Sequence, residues 1–211
     1  HDHYYHDVPR ALSEVSAGGA NVINIHHAKE PNPYINYPFF EAENLANYVN
    51  QCHDNGLRVK IYYTVKEMTV HMVEFWALQS LGDEVFPSSW ETGESFQGKL
   101  PFADEWLEKY LKEGYMTAWR QKIDDGKYHD ELEISVLTAP MSRFNNYFLE
   151  GLDWLLKHTG IDGLYFDDVA FDRTVMKRIR KLLDRDHPGC TLDLHSWNYY
   201  RNNTKDDSSL C

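Results

Sequence analysis

Positive charge is scarce in this chain. Its 211 residues carry 21 Lys and Arg against 33 Asp and Glu, a formal charge of −12 at pH 7. Nucleic acid needs a basic surface facing its phosphates, and anionic lipid needs the same, so the balance argues against both as partners. Long apolar runs are missing: no window approaches the roughly 20 residues a bilayer span requires, and no membrane insertion is expected. Cysteine is sparse, and Cys52, Cys190 and Cys211 form no CxxC. That spacing speaks against zinc ribbons and thioredoxin-like redox motifs, and the odd number fits no closed disulfide framework. No GxGxxG or GxxxxGK[ST] loop follows any expected strand, so nucleotide binding has no anchor and no cofactor is expected. Repeats of solenoid type are also absent. The chain opens on His1 rather than Met. We read it as a mature form or a fragment, so the lack of a visible signal peptide says nothing about targeting.

What is present points to a globular fold. Hydrophobic residues make up 42% and aromatics 14%, too apolar for disorder. Aromatic faces suit sugar rings, although they also fill ordinary cores. Asn21 to His27 is a β-branched run that reads as a buried strand. Apolar residues at Leu45, Tyr48, Val49 and Cys52 follow helical spacing across Glu41 to Asn55, and Gly56 stops that helix. Leu57 to Val65 reads as a strand, Met72 to Leu81 as a helix. The stretch 83–140 looks like an irregular insertion, with a helix over Phe102 to Leu111 and strands at Tyr115–Arg120 and Leu132–Leu137. Regularity returns with a helix from an N-cap at Ser142 to His158, stopped by Gly160.

The richest segment follows. Gly160 to Asp168 is a short strand that ends on two adjacent carboxylates, Asp167 and Asp168. A Lys- and Arg-rich helix, Arg173 to Asp186, comes next, then a last strand, Cys190 to Leu194. Strand and helix alternating at this interval is the rhythm of a parallel α/β protein. A complete (β/α)8 barrel takes about 250 residues. We therefore read residues 1–211 as a single TIM-type (β/α)8 barrel domain, incomplete at one or both ends; a doubly wound open sheet is the alternative.

In such barrels the C-terminal strand ends converge on one mouth where catalytic residues gather. Those ends supply His26 and His27, with Asn32, Tyr34, Asn36 and Tyr37 in the loop behind, then Tyr63, Lys66 and Glu67. Further along come Trp119, Arg120, Arg143, Asn145 and Asn146, then Asp167 and Asp168, then Asp193, His195, Trp197 and Asn198. Acids, amides, Arg and indoles together suit a polyhydroxylated ring. Alternation along the strand turns Asp167 toward the barrel axis and puts Asp168 at the rim. Asp168 also has a structural reading as a helix N-cap, although Asp172 is better placed for that task. Asp193 reads equally well as a loop-capping residue, and His195 as a pocket histidine rather than a metal ligand. His1-Asp2-His3, with His6 and Asp7 nearby, raises a metal-dependent alternative using His1, His3 and Asp193. Against it stand a sugar-contacting loop and a solvated chain end.

The run Asn32 to Pro38, the strand Val59 to Val65, the acidic strand Ile161 to Asp168 and Asp193 to Ser196 resemble barrel proteins related to glycoside hydrolase family 123. Asp162 to Asp167 is also similar, more distantly, to the nucleophile strand of α-galactosidases and family 31 α-glucosidases. In that strand one Asp opens and the nucleophilic Asp closes, and the resemblance implies the nucleophile role for Asp167. Family 123 uses an Asp-Glu pair with the substrate's acetamido group. This chain has Asp167-Asp168 there, a departure from the family pattern at the residues on which that mechanism and N-acetylhexosamine specificity depend.

The expected function is a glycosidase acting on an extracellular poly- or oligosaccharide. Asp167 attacks the anomeric carbon, and Asp168, Glu67, Asp193 or a residue beyond Cys211 protonates the leaving oxygen. Retention of configuration needs carboxyls about 5–5.5 Å apart, inversion about 6.5–9.5 Å. The alternative from another class is a non-catalytic barrel that binds glycan or serves a structural role.

Overall fold

The computed structural model of the chain describes residues 8–9, 11–86, 117–123, 126–139, 141–167 and 173–195. Helix α1 (Leu12–Ala17) leads into strand β1 (Val22–Ile25). A 3-10 turn, Pro38–Glu41, opens helix α2 (Ala42–Asp54), which returns the chain to β2 (Arg58–Tyr62). An excursion follows: β3 (Glu67–Thr69), α3 (Phe75–Gln79), β4 (Thr117–Lys122) and β5 (Leu132–Leu137). Helix α4 (Phe144–Thr159), β6 (Gly163–Phe166), α5 (Arg173–Asp186) and β7 (Thr191–Leu194) complete the described chain.

β1, β2, β6 and β7 form one parallel sheet in that order. Its alternate residues Ile23, Ile25, Val59, Ile61, Tyr63, Leu164 and Phe166 pack in one apolar cluster. The same cluster holds Leu45, Val49 and Cys52 of α2, Phe148, Leu152 and Leu155 of α4, and Val175, Ile179 and Leu183 of α5. Each fully buried aliphatic side chain there contributes about 1.5–3 kcal/mol. Since the connecting helices all cover one face, the sheet is singly wound, as in a barrel; a doubly wound sheet carries helices on both faces. The other face is left to line an interior.

Helix ends follow local chemistry in part. Gly160 ends α4 in the left-handed conformation (φ 71°) that residues with a Cβ enter at a cost. Asp162 then clamps the base of the sheet. Its Oδ2 accepts the Val59 N–H at 2.7 Å and meets His53 Nε2 at 2.8 Å. The Ser142 cap is not formed: Arg143 occupies the cap position with no side-chain hydrogen bond, and the buried Ser142 hydroxyl is unpartnered. The expected helix Met72–Leu81 narrows to α3 followed by a 3-10 turn, Gly82–Glu84. Met72 instead packs in the apolar back of the excursion. The helix expected over Phe102–Leu111 lies outside the described residues.

The excursion builds its own antiparallel sheet, in the order β3-β5-β4. Met68, Val70, Ile134 and Val136 form its apolar back against Phe75, Val85, Phe86 and Ile123. The alternate residues Glu67, Thr69, Glu133 and Ser135 make the opposite face polar. That face reaches the loop behind β1: the Ile35 N–H donates to Glu133 Oε1 at 3.1 Å, and the Tyr34 hydroxyl donates to Glu131 at 2.7 Å. Ile35 packs with Tyr62, Tyr165 and Trp119. The second sheet is thereby footed at the C-terminal end of the first.

Candidate active site

The interior face of the parallel sheet is stacked in layers by its register. Lys60, Gly163 and Thr191 sit side by side, then Tyr62, Tyr165 and Asp193. Continuing the same alternation beyond the strands brings Thr64, Asp167 and His195 to the rim. His26, one residue past β1, lays its ring 4.7 Å from Tyr62 and 6.0 Å from Tyr165.

At the rim, His195 Nδ1 and Asp167 Oδ1 are 2.7 Å apart, with side chains 43% and 25% exposed. The His195 ring lies over Tyr165, centroids 6.1 Å apart and planes at 25°. Thr64 Oγ1 donates to the Asp167 carbonyl at 3.1 Å and fastens the end of β6 to the end of β2. The carboxylate at the strand end is therefore held by the neighbouring strand and is one-quarter exposed. Asp193, in the layer below, forms an ion pair with Lys60 and is 33% exposed.

The other expected site residues divide. His27 comes to the mouth but is buried, with its ring edge-on to Trp119 at 4.1 Å and to Tyr62 at 4.4 Å. Burial, reinforced by His26, holds its pKa well below the usual histidine value, so the ring is neutral. Trp119 reaches the same place from a register irregularity in β4. Asn36 is a buried tie: its Oδ1 accepts the Thr64 N–H at 2.6 Å and its Nδ2 donates to the Glu67 carbonyl. Tyr37 donates to Glu74 at 2.8 Å within the apolar cluster of the excursion. Glu67 lies on the polar face of the second sheet and accepts from Ser135 Oγ at 3.1 Å.

Some expected site residues are elsewhere. Tyr63 faces the helices: its ring stacks on Phe148 at 4.4 Å, and its hydroxyl donates to the Phe148 carbonyl at 3.2 Å. Arg143 is held by Glu84 in a two-pronged pair, and Asn146 is exposed on the first turn of α4. Asp168, Trp197, Asn198 and the His1, His3, His6 and Asp7 group lie outside the described residues. Among the described residues no three His, Cys, Asp or Glu side chains gather as a metal site.

Sequence reasoning overlooked Lys60, Tyr62, Tyr165 and Glu133. Glu133 is fully buried, and burial pushes its pKa well above the usual carboxylate range. The Ile35 N–H and Thr69 pull against that shift, and Glu67 adds to it. The Glu-Ile-Ser-Val alternation at 133–136 was the available signal, because a strict polar–apolar period implies a polar face turned toward something.

The glycoside hydrolase 123, TIM-barrel domain family model matches residues 1–210. The chain belongs to that family. As a glycoside hydrolase 123 barrel it is similar in fold to several solved glycosidases. One is the alpha-amylase from Geobacillus thermoleovorans complexed with acarbose, at 15% identity and TM-score 0.55, covering 88% of this chain and 39% of that one. Another is an Anoxybacillus alpha-amylase, at 12% identity and TM-score 0.56, covering 88% of this chain and 38% of that one. A third is the ligand-free cyclic alpha-maltosyl-(1→6)-maltose hydrolase from Arthrobacter globiformis. Its identity is 15% and its TM-score 0.52, with 88% of this chain and 40% of that one covered. No curated protein matches the chain. At these identities the likeness is one of fold. The glycoside hydrolase 123 barrel described here spans about two fifths of the length of those structures.

Proposed function

We propose that this chain is the catalytic-barrel portion of a glycosidase that acts on an extracellular poly- or oligosaccharide. The observation that carries the reading is the Asp167–His195 pair at the sheet's C-terminal rim, above the Tyr62 and Tyr165 rings. A partly exposed carboxylate oriented there suits attack on an anomeric carbon. His26, His195 and Trp119 supply ring faces and ring nitrogens for a sugar. In the retaining version an Asp167 oxygen bonds to the anomeric carbon as the glycosidic C–O bond breaks, and a second acid protonates the departing oxygen. Water then releases the sugar from Asp167. Asp168 and Glu67 are the proton-donor proposals within this chain.

The test is product release from a broad glycan panel by the full-length protein and its Asp167→Asn variant. Cleavage by wild type with a loss of ~10³-fold or more in the variant is expected. Equal cleavage by both assigns the chemistry to another carboxylate. An inert wild type that still binds sugar moves the role to glycan binding.

A further inference from the structure

Lys60 is an unusual resident of the barrel interior. Its side chain is 3% exposed, and its ammonium is paired with Asp193. The two residues are on strands separated by β6, and neighbouring strands lie about 4.8 Å apart. The lysine crosses because its register partner on β6 is Gly163, which places no side chain in the way. That glycine is constrained in its own right: a Cβ there would come 2.2 Å from the Thr191 carbonyl oxygen. On the far side Asp193 is one layer higher, beside Tyr165 and 33% exposed, and Asp167 ends the neighbouring strand. The ammonium is thus buried in the lower layer, while the carboxylate that holds it belongs to the layer of Tyr62 and Tyr165 and is one-third exposed.

A buried lysine is costly by itself. Burial, with Arg58 adding to it, pulls its pKa below the ordinary lysine value. The hydrophobic side of β2 shows that this strand can be filled without charge, as at Val59 and Ile61. A charge placed on the interior side therefore calls for a purpose other than packing.

Building on the glycosidase reading, we propose that Lys60 is a positioning residue that fixes Asp193 as an anion beneath the reacting sugar. Asp193 is then the electrostatic partner of the positive charge that develops on the anomeric carbon and ring oxygen. It is not the proton donor. The pair forms a fixed dipole with its negative end toward the mouth, preorganised before substrate arrives.

The test is a two-residue cycle in the full-length protein, on the glycan that wild type cleaves. Lys60→Met removes the ammonium that pairs with Asp193, and Lys60→Met with Asp193→Asn removes both charges. The single variant is expected to melt roughly 10 °C lower. The double variant is expected to regain most of that stability, yet to keep a kcat about 100-fold below wild type with KM within about threefold. Recovery of both stability and kcat in the double variant overturns the proposal and leaves a purely structural pair. Unchanged stability and kcat in Lys60→Met overturns it as well. A wild type that cleaves nothing on the panel fails the glycosidase reading itself, a result separate from either outcome with an active wild type.

Discussion

His195 Nδ1 lies 2.7 Å from Asp167 Oδ1, so the end of one parallel strand orients the carboxylate at the end of the next. This contact uses one carboxylate oxygen and fixes the plane of the group. On the glycosidase reading, His195→Ala removes a contact that orients the Asp167 carboxylate and lowers kcat by about 10–100-fold, with KM changed much less. Steady-state kinetics on the cleaved glycan checks this. A rise in KM alone would make His195 a sugar contact only.

The two aspartates of one strand should separate cleanly. Asp162 accepts the Val59 N–H and pairs with His53 at the base of the sheet, whereas Asp167 is at the rim. Asp162→Ala strands a backbone donor and is expected to cost about 1–3 kcal/mol with kcat unchanged. Asp167→Asn is expected to do the reverse. Thermal melts and turnover measured on both variants decide it.

Glu133 makes stability depend on pH. Its folded pKa is raised by burial, so the stability it contributes is fully present below the unfolded glutamate value of about 4.3. That contribution is lost as the pH rises through the folded value. Glu133→Gln keeps an acceptor for the Ile35 N–H without the titration. The variant is expected to melt with wild type near pH 4 and above it at pH 8, at about 2–4 °C per kcal/mol. Parallel melting curves at both pH values would contradict this. The surrounding groups are the Ile35 N–H, Thr69, Glu67 and, 3.9 Å from Oε2, His71 Nε2.

Gly160 offers a check on the helix end. A Cβ there meets only Val49 Cγ1 at 3.7 Å, an ordinary contact, so the cost of Gly160→Ala is conformational. With φ at 71° that cost is about 1–2 kcal/mol. Differential scanning calorimetry should find a correspondingly lower melting temperature and unaltered kinetics.

Much of the parallel frame was legible in the sequence. The bounds of α5 matched the residues expected, α2, α4 and β7 fell within a residue or two, and β6 is the shorter core, Gly163–Phe166, of the strand expected over Gly160 to Asp168. Their signals are local: helical spacing of apolar residues, a glycine stop, a β-branched run. Parity along a strand was less legible. In Asp167 and Tyr165 a polar end fixed which face points inward. In β2 every residue from Val59 to Tyr63 is apolar, aromatic or long, so the pattern did not reveal that Tyr63 faces the helices and Tyr62 the interior. The Lys60–Asp193 pair was hidden for another reason. It spans residues 133 apart in the chain and depends on a glycine in the strand between them. The Ser142 cap failed because a serine before a helix is only an opportunity, and here the helix begins one residue later than that cap requires.

The antiparallel sheet is tied to the rest of the chain at several places, among them the Glu133 bond to Ile35, the Tyr34 bond to Glu131, the Asn36 bond to the Glu67 carbonyl, and Trp119 against His27. Its apolar back, around Phe75 and Val136, also takes in Ala28, Tyr34 and Tyr37 from the loop behind β1 and Phe144 of α4. The loop behind β1 is therefore common ground: Ile35 and Asn36 bind the excursion on one side and Asn36 holds the Thr64 N–H at the rim on the other, so a change in that loop reaches both sheets at once.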